Sequence, residues 1–279
     1  MKKTSILKNL LESSFPLIMP DAYDPLSAKL IEVSGFKAVQ CSGYSFSLSK
    51  CLKKEANLTL ENNLEITRQI VKAVNIPVMA DAEDGYTKNN RIQDTVEKFM
   101  KSGVAGINIE DQIFHDGSGT KIIDADEMID KIENARNAVN KVDSDFIING
   151  RTDSLLISPE PSKNLKIAIK RANLYLNAGA DLAFIPYVDT IDQVKVISKK
   201  VKGPVSIAMG LPYNINNFTI GDLKNLGVAR ISLPNILIHS SIKVMEKALE
   251  SVHNDKMSKF SDSGLLASKG DLKNITNQL

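Results

Sequence analysis

The fold is predicted from residues 102–112, which read SGVAGINIEDQ. A glycine follows a helical stretch, a run of mostly apolar residues comes next, and Glu110 and Asp111 stand where that run ends. Glycine just past a helix supplies the left-handed residue that returns the chain to a sheet. Continuous apolar character favours a strand buried on both faces, as in a parallel sheet. The segment therefore predicts one βα unit with polar side chains at the carboxyl end of its strand.

The same unit recurs along the 279 residues. Glycine turns at Gly35, Gly179 and Gly227 precede further apolar runs. The predicted strands are residues 17–20, 37–41, 77–81, 105–110, 145–151, 181–186, 204–208 and 228–233. This alternation predicts an α/β fold, a single (β/α)8 TIM barrel over residues 1–279, with 254–279 as a polar C-terminal extension. An open doubly wound sheet is the alternative, disfavoured because no Gly-x-Gly-x-x-Gly motif follows the first strand.

Composition restricts the partners and the compartment. The net charge of +2 comes from interspersed acidic and basic residues, which gives no reason to expect binding to nucleic acid or to a membrane. The first 20 residues lack the unbroken apolar core of a signal peptide, and no run reaches the length of a membrane span. Two cysteines, Cys41 and Cys51, cannot form a disulfide framework, so a reduced, cytoplasmic setting is predicted.

Carboxylates stand at the ends of two neighbouring predicted strands. Asp81 and Glu83 end the third, and Glu110 ends the fourth. In a barrel of this kind the chemistry lies at the carboxyl ends of the strands, so these side chains are expected to converge. Such a cluster repels itself unless a divalent cation neutralises it, and oxygen ligands favour Mg²⁺ or Mn²⁺ over zinc.

Other polar groups at the same face are candidates for binding an acid. Arg151 ends the fifth strand and could clamp a carboxylate with its planar fork, or could instead form a structural ion pair with Asp81 or Glu110. Ser42 and Gly43 follow the second strand and offer a hydroxyl and backbone N–H groups for an oxyanion.

Further residues at this face are less specific. His115 lies on a glycine-rich segment after the fourth strand, which could close over a substrate or be simply solvated. Asp24, Asp84 and Asp111 are expected to be caps or ion-pair partners. Cys51 has no base placed beside it in the sequence and is interpreted as incidental.

Taken in order, these motifs resemble the isocitrate lyase / phosphoenolpyruvate mutase superfamily over most of the chain. They are residues 24–28, 35–39, 42–43, 81–86, 105–112, 151–153 and 171–181. The resemblance implies a barrel that forms homodimers or homotetramers, often by exchanging its eighth helix between subunits. It also implies Mg²⁺ or Mn²⁺ and a pyruvate enolate formed as a C–C or P–C bond breaks or forms.

The resemblance also assigns roles to residues. Asp81 resembles the direct metal ligand, and Glu83 stands where an Asp is more common. Glu110 resembles a water-mediated member of the same shell. Glu55 aligns, after a small shift, with an Asp of many members and is the fourth residue that the resemblance places at the metal site.

On the substrate side, Ser42, Gly43 and the backbone N–H of Tyr44 resemble the group that holds the pyruvoyl carboxylate. Arg151 resembles the arginine that contacts the substrate. His115 and Tyr44 are the candidates for catalytic proton transfer.

Departures from the family pattern bear on the reaction. The cysteine motif of isocitrate and methylisocitrate lyases is missing from residues 113–120, and Gln112 stands where the mutase carries a lysine. Pro186 replaces a Glu or His, and Ser206 replaces a common Asn.

The leading hypothesis is a C–C lyase or decarboxylase acting on a small 2-oxo or 2-hydroxy acid. The alternatives are P–C chemistry, as a mutase or hydrolase on a compound like phosphoenolpyruvate or phosphonopyruvate, and an inactive barrel that serves as a binding protein.

Overall fold

Eight parallel strands close into a barrel in which each strand pairs with the next and β8 pairs with β1. The computed structural model describes residues 1–13, 15–86, 91–113, 121–157 and 160–275. The strands are β1 Leu17–Ala22, β2 Val39–Cys41, β3 Val78–Asp81, β4 Gly106–Glu110, β5 Ile147–Arg151, β6 Leu182–Ile185, β7 Val205–Ala208 and β8 Arg230–Leu233. The predicted (β/α)8 barrel is confirmed, and the doubly wound sheet is wrong.

Helices follow the strands and surround the barrel. They are α1 Lys3–Leu11, α2 Pro25–Val33, α3 Gly43–Ser49, α4 Leu60–Ala73, α5 Ile92–Lys101, α6 Ala125–Asn140, α7 Pro161–Asn177, α8 Ile191–Lys200, α9 Ile220–Asn225, α10 Ile236–His253, α11 Met257–Ser261 and α12 Lys269–Ile275. Short 3₁₀ helices span Glu55–Asn57 and Ser154–Leu156. Within the described ranges, no helix is both long enough and apolar enough to cross a bilayer.

The predicted strands differ from the observed ones only at their ends. Seven of them begin one or two residues later than predicted, and β1 extends two residues further. Proline explains two of these differences. Pro77 and Pro204 supply the first carbonyls of their ladders, to Val39 and Ala183, but have no N–H to donate. The ladder therefore starts one residue after each proline.

Polar side chains fill part of the barrel interior. Arg230 on β8 hydrogen-bonds to Gln40 on β2, past β1, so both side chains point inward. Asn108 and Asn149, paired across β4 and β5, lie 2.6 Å apart at their side-chain atoms. The barrel interior is therefore partly polar, while apolar side chains fill the space between strands and helices.

Helix α1 closes the opposite, amino-terminal end of the barrel. Its Leu7 is fully buried, and Leu7 and Leu11 pack against the first residues of the strands, among them Leu17, Met79 and Ile147. Burying one leucine stabilises a fold by roughly 1.5–3 kcal/mol, so two anchors are enough to hold this short helix in place.

The C-terminal extension is more ordered than its polar composition suggests. Residues 254–275 include α11 and α12, Phe260 on α11 is buried, and α12 lies beside α2 of the same chain. Exchange of a helix between subunits stays a prediction. Cys41 is buried, Cys51 is exposed and both are free thiols, while the cytoplasmic compartment also stays a prediction.

Candidate active site

Three carboxylates converge at the carboxyl ends of β3 and β4. Asp81 ends β3, Glu83 follows two residues later, and Glu110 ends β4. One oxygen from each lies within 4.8 Å of the other two, and all three side chains are buried. We call Asp81, Glu83 and Glu110 the acidic triad. The strand register brings them together, because parallel neighbours end at the same edge of the barrel.

The carboxylate of Glu83 is the least satisfied of the three. Neither of its oxygens accepts a hydrogen bond among the described residues. Its backbone adopts φ 51°, a left-handed conformation that is strained for a residue with a side chain. Strain of this kind is characteristic of functional sites, where the surrounding structure holds a residue in place. Here it turns Glu83 toward the other two acids.

Burial dominates the electrostatics of the acidic triad. It raises the pKa of Glu83 well above its ordinary value, and the charges of Asp81, Glu55 and Glu110 raise it further. Burial likewise raises the pKa of Glu110, although Arg151 acts against it, and the pKa of Asp81 moves in the same direction. Unpaired buried oxygens in an all-oxygen set fit a hard divalent cation such as Mg²⁺.

Arg151 lies beside the acidic triad, as the sequence predicted. Its Nη1 lies 2.6 Å from Glu110 Oε2, and its Nη2 lies 2.8 Å from Asp153 Oδ1. The guanidinium therefore forms the ion pair with Glu110 that was one of the two predicted alternatives. It also lines the cavity described below, and binding of a substrate carboxylate stays a prediction.

The second-strand candidates are placed at the start of α3. Ser42 is the N-cap of α3 and accepts a hydrogen bond from the Ser45 N–H. The Gly43 N–H points to Asp81 Oδ2 at 3.4 Å, so in this structure it supports the acidic triad. Tyr44 is partly exposed, and its hydroxyl lies 3.4 Å from His239 Nε2 on α10.

A cavity of about 210 Å³ lies beside Ser42, Asp81 and Arg151. Its lining combines polar residues with an aromatic and apolar wall: Gln40, Cys41, Ser42, Tyr44, Glu55, Asp81, Asn108, Arg151, Phe184, Tyr187, Leu211, Tyr213, Ser232, Pro234 and Asn235. Glu55 is thus in the cavity but outside the acidic triad. Burial raises the pKa of Glu55 to about 7, against the effect of Arg151. His115 lies outside the described residues.

The aromatic residues of the lining lie close to one another and to Arg151. Tyr187 and Tyr213 have ring centroids 6.0 Å apart, and the Phe184 ring lies 5.7 Å from the Arg151 guanidinium. Tyr187 adopts φ 64° and Asn235 φ 63°, two further left-handed residues at this face. The wall offers apolar contact to whatever the cavity binds.

Two of the remaining acidic candidates, Asp24 and Asp111, make the structural contacts expected of them. Asp24 caps α2 through a reciprocal pair of hydrogen bonds with Ser27. Asp111 is fully buried and accepts hydrogen bonds from the Tyr175 hydroxyl at 2.6 Å and from Arg171 Nη1 at 3.1 Å. These bonds tie the end of β4 to α7 and so fix the strand that carries Glu110.

Sequence reasoning missed several buried polar residues near the site. Asp21, at the end of β1, accepts a hydrogen bond from the Ser45 hydroxyl, and burial raises its pKa to about 8. Arg230 and Gln40 were also overlooked. A signal was present, because single polar residues interrupt several otherwise apolar strands, as Arg230 does at the start of β8.

Comparison with known proteins bears on this geometry. A model of the phosphoenolpyruvate phosphomutase family matches residues 7–253. The chain is 32% identical to the chloroplastic carboxyvinyl-carboxyphosphonate phosphorylmutase of Arabidopsis thaliana, over 91% of this chain and 78% of that protein. It is 29% identical to 2,3-dimethylmalate lyase of Eubacterium barkeri, over 91% and 88%. A structure of phosphonopyruvate hydrolase with oxalate and Mg²⁺ is 25% identical, with a TM-score of 0.86 and coverage of 99% and 95%.

Proposed function

Because this chain belongs to the phosphoenolpyruvate phosphomutase family, we propose that it is a Mg²⁺-dependent lyase or decarboxylase acting on a small 2-oxo or 2-hydroxy carboxylic acid. The bond broken would be a C–C bond, with a pyruvate-enolate-like intermediate. One observation carries the proposal. Asp81 of the buried acidic triad and Arg151 both line a cavity of about 210 Å³, which suits a small anionic ligand.

Asp81, Glu83 and Glu110 would hold the metal ion. Bound there, Mg²⁺ would act as a Lewis acid toward negative charge that develops on the C2 oxygen. Arg151 would orient the substrate carboxylate, and Ser42 with the backbone of Gly43 and Tyr44 would add hydrogen-bond donors. The charges of Arg151 and Asp81 act on the Glu55 carboxyl. Glu55 would contact the metal ion through a bridging water or would hold a proton within the site.

Proton transfer needs a group at the reacting carbon. Tyr44 and His115 are the candidates from the sequence, and the cavity adds Tyr187. Burial raises the pKa of Tyr187 to about 12, so its hydroxyl keeps its proton at neutral pH and can donate it.

The lining favours acids with one or two carboxylates. Arg151 is the cation among the described residues that line the cavity, and Phe184, Leu211 and Pro234 form the apolar part of the lining. A third carboxylate, as in methylisocitrate, would face this apolar wall without a cationic partner among those residues.

P–C bond chemistry is the second candidate. It is favoured by the description of the matching family and by the relative that is a phosphonopyruvate hydrolase. An inactive binding barrel is disfavoured. Both carboxylate oxygens of Glu83 are buried without a hydrogen-bond partner among the described residues, which lowers the stability of the fold and serves no structural purpose.

Turnover of oxaloacetate, 2-methylisocitrate and phosphonopyruvate, with and without Mg²⁺, tests the proposal beside an Asp81→Ala variant. We expect metal-dependent consumption of a C–C substrate that the variant abolishes. Activity that persisted in the variant without metal would refute it, and phosphonopyruvate as the preferred substrate would favour P–C chemistry.

A homodimer or homotetramer is also proposed, and sedimentation velocity tests it.

A further inference from the structure

Two segments at the carboxyl face of the barrel are linked to each other by asparagine side chains. Residues 186–190 join β6 to α8, and residues 209–219 join β7 to α9. Asn214 lies in the second segment and is fully buried. Its Nδ2 donates hydrogen bonds to the carbonyl oxygens of Val188 and Ala208, each at 2.9 Å. Asn214 therefore ties the segment after β6 to the end of β7.

Asn217 makes a second connection between the same two segments. Its Nδ2 donates to the carbonyl oxygen of Asp189 at 2.6 Å and to that of Tyr213 at 2.9 Å. The carbonyls of the two residues that follow Tyr187 are thus both held by asparagine side chains from the segment after β7. We call Asn214 and Asn217 the asparagine clamp.

The asparagine clamp acts on the backbone directly after Tyr187. Tyr187 has a φ of 64°, a left-handed conformation that is unfavourable for a residue with a side chain. Such a conformation persists only where the surrounding structure enforces it. Hydrogen bonds to the next two carbonyls supply this enforcement, so the clamp fixes the direction in which the Tyr187 side chain leaves the backbone.

The Tyr187 side chain lies among the charged groups of the site. It is part of the cavity lining, and the charges of Arg151 and Glu110 act on its hydroxyl. The ring of Tyr213, whose carbonyl Asn217 also holds, has its centroid 6.0 Å from that of the Tyr187 ring. The asparagine clamp therefore controls the placement of both tyrosines that line the cavity at the ends of β6 and β7.

We propose that Asn214 and Asn217 are positioning residues that hold the Tyr187 hydroxyl in place for proton transfer at the reacting carbon. The inference rests on the proposed function, in which Tyr187 is a candidate proton donor. The Tyr187 O–H bond would break as a C–H bond forms on the enolate carbon, and the phenolate left behind would regain its proton from water. Proton transfer requires the donor within hydrogen-bond reach of the accepting atom, so a displaced Tyr187 would transfer its proton more slowly.

Asn217→Ala tests the asparagine clamp, because Asn217 is exposed and its replacement should leave the fold intact. Kinetics are measured with Mg²⁺ and whichever of oxaloacetate, 2-methylisocitrate and phosphonopyruvate the protein consumes. We expect kcat to fall about tenfold, because the proton donor is misplaced, and KM to change little, because Arg151 is untouched. Asn217→Asp keeps the shape of the side chain but cannot donate, so it should lose as much. A normal kcat in Asn217→Asp would overturn the inference.

Asn173→Ala is the matched control. Like Asn217, Asn173 donates from Nδ2 to the carbonyl four residues earlier, at 3.0 Å, and to a carbonyl of another segment, that of Lys200 at the end of α8, at 3.1 Å. Asn173 also accepts from the Lys202 N–H, so its loss should lower the melting temperature at least as much as Asn217→Ala does. Neither Asn173 nor its partners line the cavity, so kcat should stay unchanged. Equal losses of kcat in the two variants would overturn the inference.

Combination with Tyr187→Phe shows whether the asparagine clamp acts through the Tyr187 hydroxyl. In a Tyr187→Phe background, Asn217→Ala should lower kcat no further, because no hydroxyl is left to position. Additive losses of kcat would contradict the inference, and so would a Tyr187→Phe variant with normal kcat.

Hydrogen–deuterium exchange provides a measurement that needs no turnover. The backbone amides of residues 186–190 should exchange faster in Asn217→Ala than in the unaltered protein, because the segment opens more often once a connection is lost. Asn173→Ala should leave the exchange of this segment as it is. Unchanged exchange in Asn217→Ala would overturn the inference. If the unaltered protein consumed none of the three acids, the proposed function would fail, and the exchange measurement would still test the clamp.

Discussion

The Glu83 carboxylate occupies the space in which a side chain on residue 43 would begin. A Cβ built on Gly43 would lie 1.3 Å from Glu83 Oε1, far inside any tolerable contact. Gly43 is therefore glycine because Glu83 needs the room, in addition to the hydrogen bond that its N–H offers Asp81. The turn after β2 and the acidic triad at the ends of β3 and β4 are therefore packed against each other.

Gly43→Ala should displace Glu83 and lower the affinity for Mg²⁺ by at least about tenfold, because one ligand is lost from the set. Titration of Mg²⁺ by calorimetry measures the change. Gly221→Ala is the control, since a Cβ there meets only Thr219 Oγ1 at 3.5 Å, an ordinary contact. Shortening the acid in a Gly43→Ala, Glu83→Asp double variant should restore part of the affinity, and no recovery would contradict the steric explanation.

Glu83→Gln should have opposite effects with and without metal. Without metal it removes a buried, unpaired carboxylate, so the melting temperature should rise. With Mg²⁺ present, the melting temperature of the unaltered protein should rise more than that of Glu83→Gln. A ligand that binds only the folded state stabilises it by about 2.7 kcal/mol when its concentration is one hundred times its dissociation constant. Differential scanning calorimetry compares the two. Glu246→Gln, in an exposed ion pair on α10, should show neither effect.

Arg151→Met should destabilise the metal-free protein by roughly 3–5 kcal/mol, because it leaves Glu110 and Asp153 buried without their cation. Arg151→Lys keeps the charge but loses the two-pronged geometry, and should raise KM for the acid more than it lowers stability. Arg136→Lys alters an ion pair with Asp181 away from the cavity, so it should lower stability with KM unchanged. Equal KM values in the two lysine variants would argue against substrate binding by Arg151.

Stability should depend on pH through Asp21. Burial raises the pKa of Asp21 to about 8, whereas the pKa of an aspartate in an unfolded chain is about 3.9. The folded state thus holds a proton that the unfolded state releases, and the free energy of unfolding falls as pH rises from about 4 to about 8. Asp21→Asn cannot ionise and should flatten part of that slope in urea unfolding. Asp192→Asn, at an exposed position, should leave the slope as it is, and an unchanged slope in Asp21→Asn would count against the assignment.

Tyr187→Phe separates the proton-transfer candidates. If Tyr187 supplies the proton, kcat should fall about a hundredfold while KM changes little, since the ring still fills the wall. Tyr44→Phe is the comparison, because the Tyr44 hydroxyl lies near His239 rather than over the acidic triad. A larger kcat loss in Tyr44→Phe would assign the role to Tyr44.

The barrel and the acidic triad could be predicted because both depend on local sequence. Glycine turns and apolar runs mark the strands, and a fold that places every strand end at one face makes Asp81, Glu83 and Glu110 neighbours. The hydrogen bonds that link Arg230 to Gln40 and Gln40 to Ser232 could not be predicted in this way. They join β8 to β2 through the barrel interior, and which polar side chains meet there depends on three-dimensional register rather than on spacing along the chain.

The seal that α1 makes across the amino-terminal end of the barrel has a kinetic consequence. Among the described residues, Leu7 and Leu11 close that end, so the cavity communicates with solvent at the strand carboxyl ends. When a bound acid is split into two fragments behind a single entrance, the outer fragment must depart before the inner one. The acid retained at Asp81 would then be the last product released, and it should inhibit competitively with the substrate, while the first product should not.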